Sequence, residues 1–299
     1  MQLLLGFLLS ALIGLGAYWR GSLSKSGVAG AILTGTIIFG LGGWAWGILL
    51  IVFFVSSSVL SHYKESLKES LAEKFSKGHR RDLAQTLANG GAGALIVVAN
   101  AIWPHPAWWA AFVGALATVN ADTWATELGV LSKAKPRLIL TGQEVEVGTS
   151  GAITFAGTLA ALTGAALISA VSAFAAGQWD VARAYDLMWR SAPPITDFAL
   201  PDFWTLFFPV LWTGVLAGLL GSLFDSFLGG TVQAMYCCDH CDKETERHPT
   251  HTCGHPTDYL WGWRWLDNDW VNFLSSVSGS AIAAGLWWWM SSGQSWWPR

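Results

Sequence analysis

Five short polar segments interrupt an otherwise apolar chain, and their residue types suit the binding of a metal ion and a phosphate. They are Asn89-Gly90-Gly91, residues 121–129 with Asp122 and Glu127, residues 148–151, Asp225-Ser226 followed by residues 229–233, and residues 267–272. Carboxylates bind hard divalent cations, and backbone N–H groups of glycine-rich turns and helix N-termini bind phosphate. A metal ion and a phosphate in one site indicate phosphoryl transfer.

Three carboxylates, those of Asp122, Glu127 and Asp225, are predicted near the C-terminal ends of helices. An anion at that end opposes the helix dipole and needs a compensating cation. We predict that Mg²⁺ is this cation, so these three residues are the candidate catalytic and metal-binding groups. A structural salt bridge to a nearby basic residue is the alternative, with Lys133, Lys135 and Arg137 as the candidates.

The spacing of Asp122 and Glu127 sets a condition on a shared metal ion. Five residues correspond to roughly 140° around an unbroken helix, so the two carboxylates converge on one ion only if the helix breaks between them. Asn268 and Asn272 are four residues apart and share one helix face.

The remaining polar residues are candidates for binding a nucleotide and its phosphates. Helices four, six and eight are predicted to begin at the same face, so their free N–H groups point at one region. The predicted binding residues are Asn89, Lys133, Arg137, Gly148, Thr149, Gly151, Asn268, Asp269 and Asn272. In this set residues 148–151 open helix six, and Lys133 and Arg137 neutralise phosphate charge. Asp267, which lies furthest out, has the simpler alternative of a helix cap.

All four cysteines lie in one short loop that also contains four of the seven histidines. Cys238 and Cys241 followed by Cys253 have the spacing of a zinc ribbon, which predicts a structural Zn²⁺ site with His255 as the fourth ligand. Cys237 and His251 are alternative fourth ligands. Free thiols and a redox role are the alternatives to zinc, whereas a disulfide is disfavoured on the reducing side of a membrane.

The composition around these segments is that of a membrane protein. The chain is 53% hydrophobic and only 12% charged, and its mean hydropathy is +0.41. Too few charges remain to cover a soluble globule of 299 residues. The net charge of −3, without a basic stripe, gives no indication of nucleic-acid binding. We therefore predict an all-α, polytopic helical bundle that occupies residues 1–299 as a single transmembrane domain.

The uncharged runs predict about eight transmembrane helices, since a single crossing needs about 20 residues. Two of the runs are broken in the middle, at Gly42-Gly43 and at Trp103-Pro104-His105-Pro106, and each is predicted to form a helical hairpin. The predicted helices cover residues 2–19, 27–42, 44–61, 83–102, 107–124, 151–177, 204–223 and 271–290.

The distribution of basic residues predicts the orientation of these helices. With both termini outside, every Lys and Arg except Arg183, Arg190 and Arg299 falls on the inner face. This asymmetry satisfies the positive-inside rule. It predicts a multi-pass protein of the cell membrane with a basic cytoplasmic loop at residues 62–82, a cytoplasmic Cys/His-rich loop at residues 230–266, and its polar segments at the cytoplasmic face.

At its polar segments the sequence resembles a family of bacterial, archaeal and eukaryotic membrane proteins known as domain of unknown function ninety-two. This family includes transmembrane protein nineteen of animals. The segments that carry the resemblance are Gln85-Thr86-Leu87-Ala88-Asn89-Gly90-Gly91, Ala121-Asp122-Thr123-Trp124-Ala125-Thr126-Glu127-Leu128-Gly129, Gly148-Thr149-Ser150-Gly151, Gly221-Ser222-Leu223-Phe224-Asp225-Ser226 and Asp267-Asn268-Asp269-Trp270-Val271-Asn272. Plant and cyanobacterial members are phytyl-phosphate kinases, so the resemblance implies a prenyl-phosphate kinase with CTP as the expected donor.

Two other functions stay open at this point. Some segments are also similar in style to those of dolichol kinases and CDP-diacylglycerol synthases, which makes a CTP-dependent polyprenol kinase or cytidylyltransferase the first alternative. A lipid transporter or flippase is the second, although ionisable groups near mid-membrane would then be expected. The predicted partners are the lipid bilayer, an isoprenoid phosphate and a nucleoside triphosphate, with a homo-oligomer as one option for assembly.

Overall fold

The computed structural model describes residues 1–64, 80–178 and 203–292 of the chain. Long helices make up most of these residues. They are α1 (Gln2–Trp19), α2 (Lys25–Ile37, continued by a π-helical segment Ile38–Gly42), α3 (Trp44–His62), α4 (Leu83–Ile102), α5 (Pro106–Gly129), α6 (Phe155–Gln178), α7 (Phe203–Gly229) and α8 (Asn268–Ser292). The prediction of a helical integral membrane bundle is confirmed.

Six of these helices are long and apolar enough to cross a membrane, namely α1, α2 with its π-helical segment, α3, α4, α6 and α7. The other two, α5 and α8, have 24 and 25 residues but fall outside this set. In α5 every residue from 109 to 121 is buried. A helix enclosed by other helices does not need apolar side chains toward lipid, so a low hydropathy is expected for it. The count of eight crossings stays a prediction.

Helix α5 is the centre of the bundle, where it packs against α6, α7 and α8. Small residues at these contacts let the helix backbones approach closely. A Cβ atom on Gly218 of α7 would lie 3.0 Å from the backbone of Ala117, and one on Gly114 would overlap Gly279 of α8. Close backbone approach of this kind replaces the hydrophobic driving force that helices lack within lipid. It holds the ends of α5, α7 and α8 in a fixed arrangement.

Helices α1 and α2 lie at one side of the bundle, where α1 packs on α2 and α2 on α4. The side chains of Leu4, Leu8 and Leu12 on α1 are between 55% and 69% exposed. Large apolar side chains exposed along one helix indicate contact with the hydrocarbon of the bilayer. These two helices therefore shield one side of the bundle, and they also reach the polar segment 89–91, since Ser10 of α1, Thr34 of α2 and Asn89 line one small cavity.

Both predicted helical hairpins are present. Gly43, with φ of +86°, separates α2 from α3 and adopts a conformation that favours glycine. The second turn ends where Nδ1 of His105 accepts a hydrogen bond from the backbone N–H of Ala107 at 3.2 Å, with Pro106 at the first position of α5. Proline suits this position because its missing N–H would be unsatisfied there in any case.

Four predicted boundaries were wrong near the polar segments, and one of them is the start of α8, which lies at Asn268, three residues earlier than predicted. Helix α5 continues unbroken to Gly129 and α7 to Gly229, five and six residues beyond the predicted ends. Helix α6 begins at Phe155, four residues later than predicted. Its cap is Thr154, whose hydroxyl accepts a hydrogen bond from the N–H of Gly157 at 2.9 Å. Residues 148–151 thus form a turn before α6 and do not open the helix.

Two small antiparallel sheets, which the sequence did not predict, lie between the helices. Strands β1 (Arg137–Leu138) and β2 (Ala152–Ile153) pair between α5 and α6. Strands β3 (Met235–Cys238), β4 (Lys243–Thr245) and β5 (Asp258–Trp261) form a sheet of order β4-β3-β5 in the predicted Cys/His-rich loop. The loop between α7 and α8 is therefore folded.

Some of the basic residues that predict the orientation of the helices lie outside the described ranges. Residues 65–79 of the predicted basic loop 62–82 lie outside the described ranges, as do Arg183, Arg190 and Arg299. The placement of both termini on the outer side and the boundaries of the loops consequently remain predictions.

Candidate active site

A cavity of about 500 Å³ lies where the C-terminal ends of α5 and α7 meet the start of α8 and the turn before α6. Ligand pockets commonly have volumes of roughly 300–1,000 Å³. Its polar lining consists of Ser61, Arg81, Gln85, Asp122, Thr123, Thr126, Glu127, Thr149, Ser150, Thr154, Thr158, Ser222, Asp225, Ser226, Gln233, Glu246, Arg247, Thr252, Asn268 and Asn272, and the backbone of Gly148 and Gly151 also contributes. Four of the five polar segments thus meet at this cavity.

The carboxylates of Asp122 on α5 and Asp225 on α7 face each other across the cavity, close enough to interact electrostatically. Ser222 lies beside the carboxylate of Asp122, and Ser275 of α8 lies beside that of Asp225. Oδ2 of Asp225 is buried and has no hydrogen-bond partner among the described residues. Within residues 1–64, 80–178 and 203–292, no lysine or arginine pairs with either aspartate. Two adjacent, half-buried carboxylates repel each other more strongly than in water, so either a bound cation or a shared proton would stabilise the pair.

Glu127 lines the same cavity from a different face of α5. Its Oε1 accepts a hydrogen bond from the Ser61 hydroxyl at 2.6 Å, and its charge interacts with the guanidinium of Arg81. Burial lowers the pKa of Arg81 below its ordinary value, and the carboxylate of Glu127 acts in the opposite direction. Since α5 is unbroken through residue 129, the condition for Asp122 and Glu127 to share one ion is not met. The structure instead pairs Asp122 with Asp225.

The glycine turn at residues 148–151 forms one wall of the cavity. Gly148 and Gly151 have φ of +83° and +74°, which glycine adopts without strain. Gly151 also lies directly against the end of α7, because a Cβ atom there would overlap Gly230 and come within 2.8 Å of the carbonyl oxygen of Ser226. The turn therefore holds its backbone at the cavity through contacts that no larger residue permits.

The start of α8 places its residues in different surroundings. Oδ1 of Asp267 accepts a hydrogen bond from the N–H of Trp270 at 3.1 Å, so Asp267 is the helix cap. Asn268 and Asn272 line the cavity from one helix face, as their spacing predicts. Asp269 is not part of its lining. The fifth polar segment lies elsewhere, since Asn89 lines a separate, mainly apolar cavity of about 70 Å³.

The basic side chains at the cavity are Arg81 and Arg247, which the sequence analysis did not select. Arg81 directly precedes α4, and Arg247 follows strand β4 of the folded loop. The two predicted cations, Lys133 and Arg137, are exposed and do not line the cavity. Arg137 pairs with Glu144 at 2.7 Å. The signal missed was the position of Arg81, four residues before Gln85 of a selected motif.

Gln233 is a third cavity residue that was not selected as a site residue, although it ends the polar segment 229–233. Its side chain is 2% exposed, and Oε1 accepts a hydrogen bond from the Ser150 hydroxyl at 3.3 Å. Its Nε2 has no hydrogen-bond partner within the described ranges. A buried amide donor without a protein acceptor at a cavity wall is suited to bind an oxygen of a ligand.

The Cys/His-rich loop brings four potential metal ligands together at one end of its sheet. Ligand atoms of Cys238, Cys241, His251 and Cys253 all lie within 4.8 Å of one another, so this cluster could hold a metal ion. The predicted fourth ligand, His255, is not in this group. It is exposed and stacks on His240, with 3.8 Å between ring centroids, and these two histidines form a second group that shares Cys253. Hydrogen bonds from His251 and from the backbone of His255 lower the pKa of Cys253 to about 5.

Comparison with known proteins gives matches over nearly the whole chain. A family model described as "Integral membrane protein DUF92" matches residues 8–280. Protein PGR of Arabidopsis thaliana is 34% identical over 297 residues, which are 95% of each chain. Protein VTE6, chloroplastic, of the same plant is 24% identical over 266 residues, covering 87% of this chain and 64% of the relative. An uncharacterized membrane protein of Synechocystis sp. is 25% identical over 268 residues, 88% of this chain and 82% of the relative.

No solved structure matches the chain.

Proposed function

Because this chain belongs to the family of integral membrane proteins described as DUF92, we propose that it is a membrane-embedded prenyl-phosphate kinase. The resemblance read from its motifs is confirmed at the level of the family. In the proposed reaction an oxygen of an isoprenoid monophosphate attacks the terminal phosphorus of CTP or a related nucleoside triphosphate. The bond from that phosphorus to the nucleoside diphosphate breaks, and an isoprenoid diphosphate is released.

The observation that carries this proposal is the half-buried pair of Asp122 and Asp225 at a polar cavity. Phosphoryl transfer needs little covalent chemistry from the protein, which instead positions the substrates and neutralises charge. Two facing carboxylates, a glycine turn and two arginines at one cavity supply those functions. The distant similarity to VTE6 agrees with a transferase of this kind.

The residues at the cavity fit a magnesium ion. Oxygen ligands from one or two carboxylates, with the rest from phosphate and water, are what Mg²⁺ prefers in sites that bind nucleotide phosphates. Asp122 and Asp225 would hold it, and the buried Oδ2 of Asp225, which has no protein donor in the described ranges, is the acceptor the ion would satisfy. When bound, Mg²⁺ neutralises charge on the phosphates.

The phosphates and the base bind to the other walls in this proposal. Arg81 and Arg247 supply positive charge, and the turn at residues 148–151 supplies backbone N–H groups close to a phosphate. Asn268, Asn272 and the free Nε2 of Gln233 provide amides for the sugar or the base. Arg81 and Arg247 thus take the place of Lys133 and Arg137, the cations that were predicted from the sequence to neutralise phosphate charge.

The isoprenoid chain remains in the bilayer beside α6 and α7. Phe155 and Leu159 of α6 are 85% and 51% exposed, and the same helix contributes Thr158 to the cavity. Phe227 of α7, two residues after Asp225, is also exposed. An apolar surface next to a polar cavity lets one substrate keep its tail in lipid while its phosphate enters the site.

The monophosphate substrate explains why a dedicated base is not required. A phosphate monoester is already an anionic nucleophile, whereas an alcohol generally gains from a group that accepts its proton. A polyprenol kinase would therefore make more use of Glu127 or Glu246, which also line the cavity. The cavity opens at the end of the bundle that we propose faces the cytoplasm, where nucleotides are available.

The product of the reaction tests this proposal. Purified protein in detergent with Mg²⁺, geranylgeranyl or phytyl phosphate and each nucleoside triphosphate in turn is expected to form the isoprenoid diphosphate, detected by mass spectrometry. The corresponding free alcohol should not be phosphorylated at a comparable rate. Formation of a monophosphate from the alcohol alone would support the polyprenol kinase instead, and no product with any nucleotide would contradict both.

A second test asks which arginine binds the nucleotide. Arg247→Ala is expected to raise the KM for the nucleotide about tenfold or more, because it removes a charge-assisted contact worth about 1.5–3 kcal/mol. Arg137→Ala is the matched control, since its exposed pair with Glu144 contributes little. Steady-state kinetics of the two variants would contradict the arrangement if Arg137→Ala were the more damaging change.

A further inference from the structure

The folded loop between α7 and α8 contains a cluster of thiols and imidazole that the proposed reaction does not use. Cys238 and Cys241 lie in the tight turn between β3 and β4, where the N–H of Cys241 donates to the carbonyl oxygen of Cys238 at 3.1 Å. His251 and Cys253 lie in a second turn, where the N–H of Gly254 donates to the carbonyl oxygen of His251 at 3.0 Å. Two turns thus each contribute two ligand atoms.

The distances between these atoms are those of a tetrahedral zinc site. With Zn–S near 2.3 Å and Zn–N near 2.0 Å, a tetrahedron places two sulfurs about 3.8 Å apart and a sulfur and a nitrogen about 3.6 Å apart. The Sγ atoms of Cys238 and Cys253 are 3.6 Å apart, and Nδ1 of His251 lies 3.6 Å from Sγ of Cys241 and 3.2 Å from Sγ of Cys253. A disulfide needs about 2.05 Å between sulfurs, and all four cysteines are free.

Burial of the cluster favours a structural ion. Cys238, the last residue of β3, is fully buried, and His251, in the second turn, is 5% exposed although its imidazole is polar. Nε2 of His251 lies 3.4 Å from the Thr252 hydroxyl, which orients the ring with Nδ1 toward the sulfurs. The competing group of His240, Cys253 and His255 has only exposed members and offers three ligands. Four protein ligands and no open position are typical of a structural site.

The loop is also too small to fold well by apolar burial alone. A segment of fewer than about 40 residues usually needs a metal or disulfides to hold its fold. We propose that Cys238, Cys241, His251 and Cys253 bind one structural Zn²⁺ that joins the two turns of this loop.

The ion has a consequence for the cavity, and this part rests on the proposed function. Glu246, Arg247 and Thr252, which line the cavity, lie between or beside the ligand pairs. The backbone carbonyl of Arg247 accepts a hydrogen bond from the Thr257 hydroxyl at 3.0 Å, which ties it to the base of strand β5. Cross-linking the two turns fixes this stretch of chain, so Zn²⁺ acts as a support that positions Arg247.

Metal analysis of the full-length protein tests the site without any assay of activity. Protein purified in detergent is expected to carry about one zinc ion per chain, and Cys241→Ser and Cys253→Ser should each lose most of it. Cys237→Ser and His255→Ala are the matched controls, because both residues lie in the same loop but outside the four-ligand cluster. Both controls should keep the ion.

A spectroscopic measurement covers the case in which a variant does not fold. Exchange of Co²⁺ into the wild-type protein is expected to give the visible absorption of tetrahedral cobalt with thiolate charge-transfer bands. Purified wild type without zinc and without this cobalt spectrum would overturn the proposal. Loss of zinc in His255→Ala with retention in Cys241→Ser would overturn the ligand assignment. Either result leaves the proposed kinase activity to its own product assay.

Discussion

Asp225→Asn is expected to lower kcat at least about 100-fold, the range found when a group that stabilises transition-state charge is removed. Asparagine keeps the size of the side chain but removes the charge that faces Asp122 across the cavity. The fold should persist. Without Mg²⁺ the thermal midpoint is expected to stay equal or rise, because the substitution relieves repulsion between two buried carboxylates. Turnover and thermal unfolding in detergent, measured with and without Mg²⁺, check both parts.

Asp267→Asn is the control for this result. Asp267 lies at the same end of the bundle, but its carboxylate caps α8 and is exposed. Asparagine caps a helix about as well as aspartate, so this variant should keep both stability and turnover. Equal activity in Asp225→Asn and Asp267→Asn would remove Asp225 from the site.

The second large effect is expected from Gly151→Ala. Alanine at a positive φ costs about 1–2 kcal/mol, and its Cβ would overlap the backbone of Gly230, which adds about 1–3 kcal/mol of overpacking. The thermal midpoint should fall, and turnover should fall further because the wall of the cavity moves away from the end of α7.

Gly142→Ala separates these two causes. Gly142 has a similar φ of +70°, but a Cβ atom there would meet nothing within 4 Å. This variant should show only the backbone cost of about 1–2 kcal/mol and keep its turnover. Identical losses of stability and activity in the two variants would show that the contact between Gly151 and α7 has no special role.

Much of the fold could be predicted because it follows from local rules. Uncharged runs gave the helices, and Gly43 and Pro106 marked the hairpin turns. The helix ends were less predictable, since a polar residue such as Asp122 can continue a helix when a polar neighbour such as Ser222 lies beside it. That partner lies on another helix, and no local pattern reports it.

Only some residues of the candidate site could be predicted from the sequence. Asp122, Asp225, Asn268 and Asn272 could be selected because helix ends on one side of a bundle meet. Arg81 and Arg247 could not, because loops carry them to the cavity and loop paths depend on tertiary contacts. Arg81 is held by backbone pairing with residues 22–24, and Arg247 by the sheet of the Cys/His-rich loop. The presence of His251 rather than His255 in the four-residue cluster likewise depends on which side of their shared turn faces Cys238.

The transporter alternative is less well supported by the arrangement of buried polar groups. Asn120, near the middle of α5, is fully buried, but its amide donates to the carbonyl oxygen of Gly164 at 2.8 Å and accepts from the Ser56 hydroxyl at 2.9 Å. A satisfied amide of this kind stabilises packing between helices. Asp122 and Asp225, which pair with no lysine or arginine of the described ranges, lie instead at one end of the bundle, as the proposed enzyme at the membrane boundary requires.

The most direct test of the central claim follows the label of the nucleotide into the lipid. Wild-type protein is incubated with geranylgeranyl phosphate, Mg²⁺ and the nucleotide that supports turnover, labelled in parallel reactions at the γ- or the α-phosphate. A prenyl-phosphate kinase transfers only the γ-label and produces an isoprenoid diphosphate. Transfer of the α-label would identify a cytidylyltransferase, and a lipid product without either label would contradict phosphoryl transfer at this site.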